Sequence, residues 1–177
     1  LIIHFKNLKD LKNDVILNNS FTKLHKAFCP GPITFILKRK TKSKISKIAT
    51  ARKKTVAVRI PKHKVARSLL NILKVPLAAP SANKSGYLSP TKAEHVYEQF
   101  KNNEDIPIIL DDGRTKVGLE STVVYEENNN LKILSKIQLN QFFKIDNQAY
   151  ENIELSNEKD LELVLTNLKI SYENYWK

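Results

Sequence analysis

Thr55-Val56-Ala57-Val58-Arg59-Ile60-Pro61 is the stretch on which the fold class turns. Val56, Val58 and Ile60 alternate with Thr55, Ala57 and Arg59, the period of a strand with one aliphatic face. Arg59 therefore stands on the opposite face, near the strand's end, and Pro61 stops the strand. Working outward, Leu1–Phe5 reads as an apolar strand. Asn7–Asp14 reads as a short helix with Leu8 and Leu11 inward. Ser20–Phe28 reads as a helix capped by Ser20, with Phe21, Leu24 and Phe28 at helical spacing. Pro30-Gly31-Pro32 ends that helix and opens a strand over Ile33–Leu37, with Thr34 on a face that the pattern leaves open. Lys38–Lys54 is a basic loop with a short helix around Ile45–Ala49.

Downstream, Val65–Leu73 has an apolar stripe of Val65, Leu69, Ile72 and Leu73 and is expected to be a helix. Pro76–Ala79 reads as a buried strand. Ser89 and Pro90 read as N-cap and first turn of a helix over Thr91–Phe100. Ile106–Asp111 is expected to be a strand, and Ser121–Tyr125 with Leu131–Leu134 a hairpin. Strands alternating with helices make this an α/β chain with helices packed on a mixed sheet. Residues 1–140 form the expected domain, and 141–177 a C-terminal extension with a helix over Asn157–Leu168.

The 177 residues are 41% hydrophobic, enough for a core, and no run approaches a membrane helix. The single Cys29 has no internal disulfide partner, so a reducing cytoplasm is the expected compartment. The chain begins at Leu1 and contains no methionine, which carries the expectation that N-terminal sequence is missing. Its net charge is +12, unevenly distributed. Positions 15–93 hold 18 Lys or Arg and no Asp or Glu, whereas positions 141–177 hold 7 acids against 4 bases. A field of that sign favours phosphates and nucleic acid; a solvated Lys-rich surface is the plainer alternative.

Three loops carry chemistry. Ser81 to Thr91 places hydroxyls, the Asn83 carboxamide and Gly86 between a strand end and a helix start, where free N–H donors suit a phosphate; a capped turn explains Ser89 and Pro90 equally well. Asn83 can donate to a phosphate oxygen and accept from a ligand hydroxyl. Arg59, with no acid within dozens of residues, must find its partner in distant chain or in a ligand. Gly118 to Val124 repeats the small-residue and hydroxyl character. There is no metal-ligand spacing, Walker loop, dinucleotide fingerprint or nucleophile elbow.

LIIHF (1–5), PGPITFIL (30–37), VAVRIPKH (56–63), PLAAPSANKSGYLSPT (76–91), ILDDG (109–113) and GLESTVV (118–124) together resemble the YrdC-type threonylcarbamoyl-AMP synthase family over residues 1 to about 137. The resemblance implies a twisted α/β sheet around a basic cavity. It implies the conversion of L-threonine, bicarbonate and ATP, with Mg2+, into threonylcarbamoyl-AMP. A threonylcarbamoyl-transferase complex then modifies tRNA at position 37. By position, the resemblance assigns His4, His63, Ser81 and Ser121 to threonine, and Thr34, Arg59, Asn83, Ser89 and Thr91 to ATP. Ser135 stands where the family carries an ATP-side arginine, with Lys136 beside it. The family's upstream segment, with its Lys-x-Arg pair, has no counterpart here. No side chain is expected to act as nucleophile, since alignment and charge neutralisation suffice. The second reading is a non-catalytic relative that binds nucleotide, tRNA or double-stranded RNA, and neither reading involves a membrane.

Overall fold

The computed structural model describes residues 1–116, 118, 120–127 and 130–133. In chain order the elements are β1 (Ile2–His4), α1 (Leu8–Asp14), β2 (Val15–Ile16), α2 (Asn19–Phe28), β3 (Ile33–Arg39), β4 (Thr55–Arg59), α3 (Lys64–Leu73), β5 (Leu77–Ala79), α4 (Ala93–Phe100), β6 (Thr122–Glu127) and β7 (Asn130–Ile133). The described strands make one mixed sheet in the order β5-β1-β4-β3-β6-β7, with β2 added to the far end of β3. β1 runs parallel to β4 and β3 parallel to β6; β3 and β4 are antiparallel. The chain divides into two compact units, Leu1–Ala79 with the residues from Ser121 onward, and Pro80–Glu120. The expected boundary at 140/141 lies outside the described residues, as do Asn157–Leu168, Leu134 and Ser135.

The sheet has two unlike faces because its register is fixed. Ile3 pairs with Val58 and Val58 with Phe35, so these side chains share a face, joined by Ile33, Leu37, Val56 and Val124. All seven are buried, at 3% exposure or less. α1 and α2 cover this face with Leu11, Phe21, Leu24 and Phe28. Phe21 meets Phe35 edge to face at 4.7 Å, which adds a specific contact to the area buried. Burial of this size stabilises by about 1.5–3 kcal/mol per large side chain. α1 and α2 are each started by asparagine: Asn7 accepts from the Asp10 amide at 2.9 Å and Asn18 from the Phe21 amide at 2.8 Å. The cap of α2 is thus Asn18, not Ser20, because the carboxamide two residues earlier already accepts from the Phe21 amide of the first turn.

Four expectations are corrected. Residues 45–49 form turns, not a helix; Ala51 and Arg52 follow at φ 50° and 59°, conformations that break helical continuation. α3 buries Leu70, while Ile72 is 75% exposed. β5 is a half-exposed edge strand paired only with β1 among the described residues, not a buried one. Residues 106–111 form no strand and are exposed. Pro107 removes one ladder donor, and Asp111 closes a side-chain turn onto the Gly113 amide at 2.8 Å.

On the core side of the β1–β5 edge, Ile3, Phe5 and Ala78 line a cavity of about 650 Å³. It carries both charge signs, Asp10 and Asp14 with Lys42, Lys44 and Lys74.

Candidate functional site

The second face of the sheet carries a row of polar side chains. His4 pairs in register with Arg59, Arg59 with Thr34, and Thr34 with Val123. Residues level across neighbouring strands point to the same side, so His4, Arg59 and Thr34 share a face, and Ser121, two residues before Val123, follows them. All lie at one end of the sheet: the C-terminal ends of β1 and β4, and the N-terminal ends of β3 and β6. Four positions assigned from separate parts of the sequence are therefore brought together.

Their chemistry differs from residue to residue. The Thr34 and Ser121 hydroxyls are 2.7 Å apart, and both residues are buried, at 0% and 3% exposure. A hydroxyl pair at that depth satisfies itself; removing one member leaves the other without a partner, a cost of about 1–3 kcal/mol. Arg59 Nε donates to the Gly31 carbonyl at 3.1 Å, and the Gly31 amide donates to the Ile60 carbonyl at 2.9 Å. Arg59 thus has a backbone oxygen as one of its partners, and its guanidinium belongs to this face. Sequence reasoning took Pro30-Gly31-Pro32 as a helix stop and missed Gly31 as the group that anchors Arg59.

His4 Nδ1 is buried without a hydrogen-bond partner. Burial, and secondarily the Arg59 charge, hold its pKa below the ordinary 6.5, while the backbones of Leu77 and Ile2 pull weakly the other way. The ring is neutral near pH 7 and can both accept and donate. Nearby Cys29 is pushed up to about 12, chiefly by burial, so it stays a thiol and offers no nucleophile. His63 lies four residues beyond Arg59, at the N-cap of α3, where it is exposed and makes no side-chain cap.

Ser81, Asn83, Ser89 and Thr91 belong to the Pro80–Glu120 unit. Ser81 is exposed. Asn83 Nδ2 donates to the Lys84 and Tyr87 carbonyls at 3.0 and 2.8 Å, closing the loop around Gly86. Both amide hydrogens are thereby engaged within the loop, and the buried Oδ1 is left without a partner. Of the two roles expected of Asn83, donor to a phosphate and acceptor from a ligand hydroxyl, this arrangement leaves the acceptor open. Ser89 Oγ bonds Glu120 at 2.5 Å and caps no helix. Thr91 receives the Thr115 amide on its carbonyl at 2.9 Å, and its own amide donates to His95 Nδ1 at 3.3 Å. These bonds hold Thr91 outside the helix, so α4 starts at Ala93 behind Lys92.

Among the described residues, the two buried side-chain polar atoms left without a partner, His4 Nδ1 and Asn83 Oδ1, both fall on positions assigned to a ligand. Buried polar atoms in folded proteins are nearly always paired, with protein, water or ligand.

The Sua5/YciO/YrdC family profile, described as telomere recombination, matches residues 1–136. A threonylcarbamoyl-AMP synthase of Schizosaccharomyces pombe is 46% identical over 114 residues, covering 63% of this chain and 28% of its own length. One of Pyrococcus abyssi is 41% identical over 127 residues, covering 70% of this chain and 36% of its own. The chain thus spans about a third of the length of these curated relatives. A solved structure of P. abyssi Sua5 carrying H234A/Y235A superposes with a TM-score of 0.70 at 38% identity, covering 76% of this chain and 38% of that one. Another, P. abyssi Sua5 complexed with L-threonine, superposes at 0.65 with 40% identity, covering 71% and 36%. With the mixed sheet, its polar row and a profile match over three-quarters of its length, this chain belongs to the Sua5/YciO/YrdC family.

Proposed function

We propose that the chain takes part in making threonylcarbamoyl-AMP from L-threonine, bicarbonate and ATP. The observation that carries this reading is the row of His4, Arg59, Thr34 and Ser121 on one sheet face, in a chain 41–46% identical to relatives named for that synthesis. In the reaction, threonine nitrogen takes up the carbon of bicarbonate with loss of water. A carbamate oxygen then bonds to the α-phosphorus of ATP, and the bond to the β-phosphate oxygen breaks to release pyrophosphate.

The chain's own groups bind and orient. Neutral His4 accepts from the threonine hydroxyl or donates to its carboxylate. Arg59 supplies positive charge beside the carboxylate or the phosphates. Thr34 and Ser121 fix one end of the row, and Asn83 Oδ1 accepts from a ligand hydroxyl. No covalent intermediate on the protein is required; alignment and charge compensation lower the barrier. Magnesium would enter with the triphosphate. Among the described residues no group of three or more His, Cys, Asp or Glu could hold it, so no side chain is assigned to it and no step runs through it. No helix among the described residues is long and apolar enough to cross a membrane. The lone Cys29 suits the cytoplasm, where the product would pass to a threonylcarbamoyl-transferase complex acting on tRNA.

The charge distribution favours one second reading, a nucleotide- or RNA-binding relative without synthesis: 18 bases and no acid over positions 15–93 suit a polyanion. Pyrophosphate release separates the two. The assay supplies ATP, L-threonine and bicarbonate, with the N-terminal portion of a relative added in trans in a parallel arm. Release that requires all three substrates is expected. No release in either arm, together with salt-sensitive tRNA binding, would replace the synthase by the binding module.

A further inference from the structure

The Pro80–Glu120 unit holds a second, smaller cavity of about 400 Å³, lined by Thr91, Arg114, Thr115, Lys116 and Gly118. We infer that this cavity binds a phosphate group through Arg114, Lys116 and the Thr91 and Thr115 hydroxyls. Its lining residues include two that carry cations and two that carry hydroxyls, and none that carries a carboxylate. That composition runs against its surroundings: positions 80–120 hold 7 Asp or Glu and 5 Lys or Arg, so the cations here are local and not a general bias. Arg114 and Lys116 form no ion pair among the described residues.

The cavity is also built. Thr115 donates its amide to the Thr91 carbonyl at 2.9 Å, tying the two hydroxyl-bearing segments together. Gly118 has φ +68°, and a Cβ there would sit 3.0 Å from Thr91 Cγ2, so a glycine lets the loop close against Thr91. A tetrahedral oxyanion presents only acceptors on several sides. A guanidinium fork, an ammonium and two hydroxyl donors answer that pattern more completely than they answer a flat carboxylate. The inference rests on the synthase reading for the source of the phosphate, a nucleotide polyphosphate, and on the cavity alone for its chemistry.

The test is calorimetric titration of inorganic tripolyphosphate into the 177-residue chain. Arg114→Ala and Lys116→Ala are each expected to weaken binding about tenfold, and the double variant further, with unchanged thermal melts. Lys101→Ala removes an exposed cation of the same unit, paired to Glu98 at 2.7 Å, and is expected to change nothing. Full affinity in the double variant, or equal loss in Lys101→Ala, would overturn the site. Competition by ATP identifies a nucleotide as the source, and competition by tRNA a phosphodiester; either supports phosphate chemistry. Loss of tRNA binding in the double variant with tripolyphosphate affinity intact would overturn it. Tripolyphosphate binding that needs both cations, without pyrophosphate release from ATP, would remove the synthase reading and leave this site standing. ATP-driven release with no effect of the cations would do the reverse.

Discussion

His4 shows how one sheet position sets the properties of a side chain. It ends β1 level with Arg59 on one side and Leu77 on the other, so its ring is half-buried beside a positive charge. Both circumstances penalise the imidazolium, and the folded-state pKa falls below 6.5. Well above 6.5 the ring is neutral in folded and unfolded chains alike and contributes nothing to pH dependence. Below it, the unfolded chain takes up the proton first, so stability falls as pH falls from 6.5 toward the lower folded value. An NMR titration of the His4 ring is expected to give a midpoint below 6.5, and His4→Gln is expected to remove that part of the acid destabilisation. A midpoint at or above 6.5 would mean that the ring is solvated or paired to an acid. The alternation in Thr55–Ile60 already put Arg59 on the face away from the aliphatics. That Gly31, 28 residues earlier, would supply its acceptor was not legible, because a backbone carbonyl leaves no mark in sequence.

At the scale of elements, Asp14 closes α1 and is the last acid before the acid-free block. Its buried carboxylate accepts from Ser43 Oγ and the Lys44 amide, both at 2.7 Å, pinning the basic loop between β3 and β4. Asp14→Ala orphans both donors. The expected cost is about 1–3 kcal/mol in urea unfolding, with faster amide exchange concentrated over residues 40–54. Exchange unchanged there would show that the loop is held by other contacts. The elements legible from sequence were those with a strong period and a core to face, such as β3, β4 and α2. Those misread were apolar stretches that lie at an edge or on the surface. β5 and residues 106–111 have strand composition, yet among the described residues one is an edge and the other has no ladder partner. α4 starts late because Thr91 is bonded to Thr115, 24 positions away, a contact that a local capping rule does not register.

For the whole molecule, the sheet divides the work: one face packs on α1 and α2, and the other carries the polar row. The candidate site was legible as separate motifs, and the register of β1, β4, β3 and β6 supplies the geometry that joins four of them. Ser81, Asn83, Ser89 and Thr91 sit in the other unit and were legible as a hydroxyl- and amide-rich loop, though not in their bonding. The most direct test is a titration of L-threonine into isotope-labelled chain with ATP present, followed by NMR. Saturable shifts centred on His4, Thr34, Arg59 and Ser121, with the α1–α2 face silent, are the predicted result. No shift at these four positions, or shifts centred on Leu11, Phe21 and Leu24 instead, would contradict the assignment of this face as the one that binds the substrates.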